Sequence, residues 1–386
     1  MAASGRTRIL IVDDSAVMRS LLRSVVHSGA GLEVAGTAAD GASALTAVSL
    51  DRPDLVLLDV EMPVMDGLAT LRKLRSLGHK MPVIMCSSLT QRGAKVTIEA
   101  LASGASDYVA KPASQANREQ ALQALAQELI PKIQALTHAS AHAALALPQR
   151  PDVFPAAPRF ALMPPGPQPG AQPLPSTAPS VVAIGVSTGG PAALDVLLPE
   201  LPSGFPLPVL IVQHMPEVFT KLFAERLGRR CRLRACEASE GAPVSPGTIY
   251  IARGNWHMEV LASTRPGAPA TLHLHQEAPE NHCRPAVDVL FRSVARLYGP
   301  AVLAVVLTGM GSDGLIGARF IRAQGGCVLA QDQATSTVWG MPGALAQAGL
   351  AHKVLPLAAI APEILRMIGR NQASSSASLA EARMVV

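Results

Sequence analysis

Short apolar, β-branched runs that each end in a reactive side chain recur along this chain, and they constrain its fold more than any other feature. RILIV precedes Asp13 and Asp14, DLVLL precedes Asp59, and DYVA precedes Lys111. Further on, SVVAI runs into Gly185-Val186-Ser187-Thr188-Gly189-Gly190, LPVLIVQ into His214, and AVLAVVL into the TGMGSDG segment that holds Asp313. Such runs read as strands of a parallel sheet covered on both faces. Side chains just past the carboxyl ends of such strands converge on one crevice. Two crevices are therefore expected, one acidic and one that gathers a serine, a histidine and an aspartate.

The chain has 386 residues, a length that favours two domains. With 49% hydrophobic residues and only 3% aromatic, there is ample material for two cores packed mainly by Ala, Val, Leu and Met. From Arg8 to about Leu136, strand-like and helix-like segments alternate five times, as RILIV, LEVAGTA, DLVLLD, PVIMCSS and DYVAK with a helical pattern after each. In the last helical pattern Leu122, Leu125, Leu129, Ile133 and Leu136 recur at helical spacing, and Pro131 is expected to kink it or mark its end. Five such units make one doubly wound sheet. The boundaries read as a first domain over 1–136, a Pro/Ala-rich linker over 137–179, a second α/β domain over 180–370 and a disordered tail over 371–386.

Composition also excludes several classes. No apolar stretch approaches the roughly 20 residues of a membrane span, and the N-terminus lacks a signal-peptide pattern, so the chain reads as cytoplasmic with no membrane insertion. The five cysteines, Cys86, Cys231, Cys236, Cys283 and Cys327, form no CxxC pair. Of these, Cys86 and Cys327 sit in apolar strand-like runs, where cysteine packs as a small hydrophobe. His273, His275, His282 and Cys283 invite a zinc reading, but alternation in TLHLHQE places both strand histidines on a solvated face. The net charge is +5, and Arg226, Arg229, Arg230, Arg232 and Arg234 crowd one segment. That cluster reads as a solvated helix end and edge strand, with an acidic docking surface as the alternative. Nothing resembles a nucleic-acid-binding motif.

In the first half, carboxylates at strand ends suit a hard divalent cation such as magnesium, which prefers oxygen ligands. Beside such a cation Asp59 can attack a phosphoryl donor in line, Lys111 can pair with the resulting phosphoryl oxygens, and Ser87 can hydrogen-bond one of them. DD, DVEMPVMDG, CSSL and YVAKP in this order resemble the receiver domain of two-component response regulators, a flavodoxin-like fold. The resemblance implies that Asp59 is the phosphoacceptor and that Asp13, Asp14, Asp59 and the backbone carbonyl of Glu61 serve Mg2+. It further implies that Ser87 and Lys111 sense the phosphoryl group, with Tyr108 as an aromatic switch.

In the second half, serine, histidine and aspartate supply the hydroxyl, base and orienting acid of nucleophilic acyl transfer. Gly185-x-Ser187-x-Gly189 fits a strand-to-helix nucleophile elbow, although GVSTGG could equally cradle a phosphate at a helix N-terminus. His214 and Asp313 at two other strand ends favour the elbow. His257 is a competing base, and Asp195 and Asp332 are competing acids. The chain order Ser, His, Asp differs from that of α/β-hydrolases and of trypsin-like and subtilisin-like proteases.

GVSTGGPAAL, VQHMP, RPAVDVLF, LTGMGSDG and QDQATSTVWGMP behind a receiver resemble the chemotaxis response-regulator protein-glutamate methylesterases, which carry a Rossmann-like α/β/α catalytic domain. The resemblance implies Ser187 as nucleophile, His214 as general base, Asp313 as orienting acid and the Met310 backbone N–H as oxyanion donor. It also implies hydrolysis of glutamate γ-methyl esters on chemoreceptor signalling helices, deamidation of receptor glutamines, no cofactor for catalysis and a histidine kinase as phosphodonor. Ala286 and Arg253 depart from the family pattern, which more often has serine and proline there. Two other readings stand beside this one: a response regulator whose output is binding alone, and a serine hydrolase of another ester.

Overall fold

The computed structural model describes residues 6–112, 118–141 and 177–369. The N-terminal domain alternates β1 (Thr7–Val12), α1 (Ala16–Ser28), β2 (Leu32–Ala38), α2 (Gly41–Asp51), β3 (Leu55–Asp59), α3 (Gly67–Ser76), β4 (Val83–Ser87), α4 (Gln91–Ala102), β5 (Asp107–Ala110) and α5 (Arg118–Ala141). Its strands pair in parallel in the order β2-β1-β3-β4-β5. The central strands are apolar and buried on both faces, so only their carboxyl ends carry polar groups into a crevice. Helix starts are set by side chains that accept from otherwise unpaired amides: Ser15 caps α1, Asp40 α2, Asp66 α3 and Thr90 α4.

Of the two outcomes expected at Pro131, the end of the helix is not what the structure shows. Pro131 lies inside α5, which continues to Ala141. Proline deprives the carbonyl four residues earlier of its partner. That residue, Gln127, is exposed, so water can serve its carbonyl, while Leu125, Leu129, Ile133 and Leu136 remain buried against the sheet and α1. Most of the expected linker and all of the expected tail (371–386) lie outside the described residues.

The C-terminal domain contains β6 (Val181–Val186), α6 (Gly190–Leu197), β7 (Val209–Gln213), α7 (Glu217–Arg230), β8 (Arg234–Glu237) and β9 (Thr248–Ile251). A hairpin of β10 (His257–Leu261) and β11 (Thr271–His275) follows, then α8 (Val287–Tyr298), β12 (Val302–Val306), α9 (Leu315–Ala323), β13 (Cys327–Gln331), α10 (Met341–Gln347) and β14 (Lys353–Leu355). A last helical stretch spans 357–369. Seven strands form one sheet in the order β14-β13-β12-β6-β7-β9-β8, and every pairing in it is parallel. The chain enters at β6, builds outward through β7, and later returns to lay β12 against the other side of β6. The strand order therefore reverses between β12 and β6, and open α/β sheets present their crevice at such a point.

The two domains share an apolar interface. Helix α4 packs on α6 and α7, and the Tyr108 ring stacks on Phe219 with centroids 4.7 Å apart and planes 24° from parallel. Buried residues of both domains, among them Ile98, Leu101, Tyr108, Leu194, Phe219 and Phe223, form one continuous cluster.

Within the C-terminal domain, Phe291 on α8 is fully buried beneath α9. Phe291→Ala is expected to cost about 3–5 kcal/mol, because a fully buried ring leaves a cavity that the sheet and α9 cannot refill. A urea titration of the C-terminal domain checks this; a loss below about 1 kcal/mol would mean that α8 is not held by its core face.

Candidate functional site

Three strand ends of the N-terminal sheet build the acidic crevice. Asp13 follows β1, Asp59 closes β3, and Lys111 follows β5, with its Nζ 2.8 Å from Asp13 Oδ2 and 2.7 Å from Asp59 Oδ1. Asp13 and Asp59 are buried and Asp14 is exposed, yet one oxygen from each lies within 4.8 Å of the others. Burial pushes the Asp59 carboxyl up to about 6, outweighing the pull of Lys111. Three carboxylates gathered around one lysine form an oxygen-rich donor set that fits a hard divalent ion. The Glu61 amide donates to Asp59 Oδ1 at 3.3 Å, and the buried Ser87 hydroxyl bonds the Ser88 carbonyl at 3.1 Å. The close approach of α3 to β3 requires Gly67, since a Cβ there would sit 2.0 Å from the Asp59 carbonyl oxygen.

The second crevice lies at the carboxyl ends of β12, β6 and β7, which are neighbours in the sheet. Ser187 follows β6 and begins the turn into α6; its N–H donates to the Thr308 carbonyl at 3.0 Å. Gly189 takes the left-handed φ of +78°, and a Cβ there would strike Thr337. The Gln213 amide, last residue of β7, donates to the carbonyls of Ser187 (3.0 Å) and His214 (3.3 Å), tying the turn to the next strand end. This strand-to-helix geometry is that of an elbow, with Ser187 half-buried at the wall of a cleft.

His214 Nε2 lies 2.8 Å from Asp313 Oδ2. Asp313 is 2% exposed, and its charge is compensated by amides. Val287 N–H donates to Oδ2 at 2.7 Å; Asp288 N–H, Gly314 N–H and Asn281 Nδ2 each donate to Oδ1 at 3.0 Å. The first two are the opening amides of α8, so the carboxylate occupies the positive end of that helix. Burial works against its ionisation, but His214 and these amides hold it below the usual carboxylate range. Burial also opposes charge on His214, yet its bonds to Asp313 and Cys283 prevail and raise it to about 9.

Cys283 was not among the site residues expected from sequence. Its Sγ lies 3.6 Å from His214 Nδ1, the ring nitrogen that Asp313 leaves free. No hydrogen bond joins Ser187 Oγ to His214 among the described residues, although both line one cleft; in sites without substrate such contacts are often long. The Met310 N–H, one residue past Gly309 in the loop after β12, has no acceptor among the described residues. Cys283 and Asn281 sit in an irregular loop with no periodic signal, and only their position shortly before the α8 motif RPAVDVLF hinted at proximity.

The competing residues lie elsewhere. His257 is buried, with Nδ1 accepting from the Ala286 N–H at 3.2 Å and Nε2 3.2 Å from the Ala278 carbonyl oxygen. Asp195 pairs with Arg226 through two 2.7 Å bonds, and Asp332 closes a turn by accepting from the Thr335 N–H at 3.0 Å. His273 and His275 alternate with buried Leu272 and Leu274, but the solvated face expected for both holds only for His273: both ring nitrogens of His275 are buried. Arg253 pairs with Glu217 and lies over the Trp256 ring at 5.5 Å.

Both domains line the cleft, whose volume is about 1230 Å³. Ser187, His214, Cys283 and Met310 face Asp107, Tyr108, Glu128 and Lys132 of the N-terminal domain. Thr188, next to Ser187, donates its hydroxyl to Asp107 Oδ2 at 2.7 Å. Asp107 is the first residue of β5, and Tyr108 is the second. Tyr108 is therefore buried between the domains, not inside its own.

Residues 9–147 match the response regulator receiver domain model and residues 182–364 match the CheB methylesterase model. A protein-glutamate methylesterase/protein-glutamine glutaminase of Nocardioides sp. is 48% identical over 95% of this chain and 97% of its own length. Its counterpart in Trichodesmium erythraeum is 46% identical over 94% of this chain and 99% of its own. In Paramagnetospirillum magneticum, a protein of the same name is 43% identical over 95% and 98% respectively. With both domain models matched in order and identity sustained over nearly the whole length, this chain belongs to the family of receiver-linked CheB methylesterases.

Proposed function

We propose that this protein is a phosphorylation-activated serine esterase that hydrolyses glutamate γ-methyl esters on chemoreceptor signalling helices, releasing methanol, and deamidates receptor glutamines by the same route. The observation that carries the reading is the Ser187–His214–Asp313 set at three converging loops, with Asp313 locked on the α8 N-terminus. In this reading Ser187 Oγ attacks the ester carbonyl while neutral His214 accepts its proton at Nδ1. Asp313, bonded to Nε2, holds the ring and offsets the positive charge that forms. The Met310 N–H, without an acceptor among the described residues, supports it as donor to the tetrahedral oxyanion. His214 then protonates the departing methanol, and water completes the cycle against the acyl-serine.

For regulation, Asp59 is the proposed phosphoacceptor, fed by a histidine kinase. Asp13, Asp14, Asp59 and the Glu61 carbonyl would hold Mg2+, which screens charge during phosphoryl transfer. Lys111 and Ser87 would engage the phosphoryl group. Asp59 and Tyr108 lie on β3 and β5, on either side of β4. A shift of β5 that breaks the Asp107–Thr188 bond and the Tyr108–Phe219 stack would open the cleft to a receptor helix.

Ser187→Ala is expected to lower receptor demethylation by roughly 10⁴-fold with an unchanged circular dichroism spectrum. Retention of a tenth of wild-type turnover would exclude Ser187 as the nucleophile.

The raised His214 value sets a sign for pH dependence. Only the neutral ring accepts a proton, and below about 9 the free enzyme's ring is increasingly protonated. The kcat/KM should therefore fall by about tenfold per pH unit on the acid side of that limb. Asp313→Asn should move the limb toward lower pH while reducing the plateau. A limb that stays in place in that variant would assign it to another group.

Asp59→Ala should give low activity that a small-molecule phosphodonor cannot raise, whereas a fragment beginning at Thr177 should be active without one. Equal activity of that fragment and the unphosphorylated full chain would contradict occlusion by the receiver.

A further inference from the structure

Cys283 and His214 have a spacing that acyl transfer does not require. Zinc bonds to thiolate sulfur at about 2.3 Å and to imidazole nitrogen at about 2.0–2.1 Å, with tetrahedral angles. Those values place the two ligand atoms roughly 3.6 Å apart across one metal. Cys283 Sγ and His214 Nδ1 are 3.6 Å apart. The other ring nitrogen is bonded to a carboxylate, Asp313, at 2.8 Å. A histidine whose second nitrogen is held by a carboxylate is the usual arrangement around protein-bound zinc, because it fixes the tautomer and aims the free lone pair.

Asp313 lies close enough to group with the other two, but its oxygens are taken by His214, three backbone amides and Asn281. It therefore acts behind the histidine and not on the metal. Two protein ligands on one side leave the remaining tetrahedral positions toward the cleft, where Ser187 and Met310 are found. A buried structural metal would have four protein ligands.

We propose that His214 Nδ1 and Cys283 Sγ form an inhibitory site for a thiophilic divalent ion, with zinc as its natural occupant. Binding displaces the Cys283 proton to solvent and occupies the one imidazole nitrogen not already bonded to Asp313. With that lone pair on the metal, His214 cannot accept a proton from Ser187, and hydrolysis stops until the ion is withdrawn. The binding claim stands on geometry alone; the inhibition claim rests on the esterase reading above.

The test uses the full-length chain with excess magnesium, so that the receiver carboxylates are occupied by the harder ion. Cobalt(II) serves as the spectroscopic probe. Wild type should show a thiolate-to-cobalt charge-transfer band that zinc displaces, with one ion per chain. Cys283→Ser and His214→Gln should lose the band, while Cys231→Ser should keep it. Zinc should inhibit receptor demethylation reversibly, with activity restored by a chelator. The activity that remains in Cys283→Ser should require at least about 10–100-fold more zinc for half-inhibition, the range seen when a zinc site loses even a supporting residue. A band that survives in Cys283→Ser, or equal zinc sensitivity of that variant and wild type, overturns the proposal. If the chain lacks demethylation activity, the band still tests the site; if activity is present and the band absent, only the metal proposal fails.

Discussion

The Asp313 carboxylate at the N-terminus of α8 is the interaction on which the rest of the second crevice depends. A carboxylate this deeply buried costs several kcal/mol unless donors replace its water. Here the opening amides of α8, the Gly314 amide and the Asn281 side chain replace that water. The same bonds orient the carboxylate toward His214, so that electrostatic compensation and alignment of the imidazole are one arrangement. Phe291, buried beneath α9, fixes α8 and thereby the direction in which those amides point.

Alignment also depends on the order of strands. Because β12, β6 and β7 are adjacent, the loops that carry Asp313 and Met310, Ser187, and His214 leave the sheet side by side. Neighbouring strands are about 4.8 Å apart, which is the scale on which a hydroxyl, an imidazole and a carboxylate can interact in sequence. Gln213 and Thr308 strengthen this by bonding across strand ends: the Gln213 amide holds the Ser187 turn, and the Thr308 hydroxyl donates to the Thr188 carbonyl at 2.9 Å.

Between the domains, the contacts nearest the serine turn come from β5 and α5. Thr188 is bonded to Asp107, and the next residue of β5, Tyr108, is stacked on Phe219 from α7, the helix that begins three residues after His214. Lys132 from α5 lies 3.5 Å from Asp107 and 5.1 Å from the centre of the Tyr108 ring. Strand β5, separated from the Asp59 strand by β4, thus touches the serine turn through Thr188 and the helix after His214 through Phe219.

The parallel strands, the two crevices and most of their residues were legible in the sequence, because a strand buried on both faces must be apolar throughout and can place chemistry only at its ends. RILIV, DLVLL, SVVAI and AVLAVVL therefore announced Asp13, Asp59, Ser187 and Asp313 before any coordinates. Pro131 does not end its helix, since a local rule about helix termination yielded to the burial of Leu129, Ile133 and Leu136 on either side of it. What only the tertiary structure decided are contacts between residues far apart in the chain: Asp107 with Thr188, Tyr108 with Phe219, and Cys283 with His214. Periodicity records which face of an element is buried, but it carries no information about which irregular loop or neighbouring domain supplies the covering atoms. Those choices are made by packing.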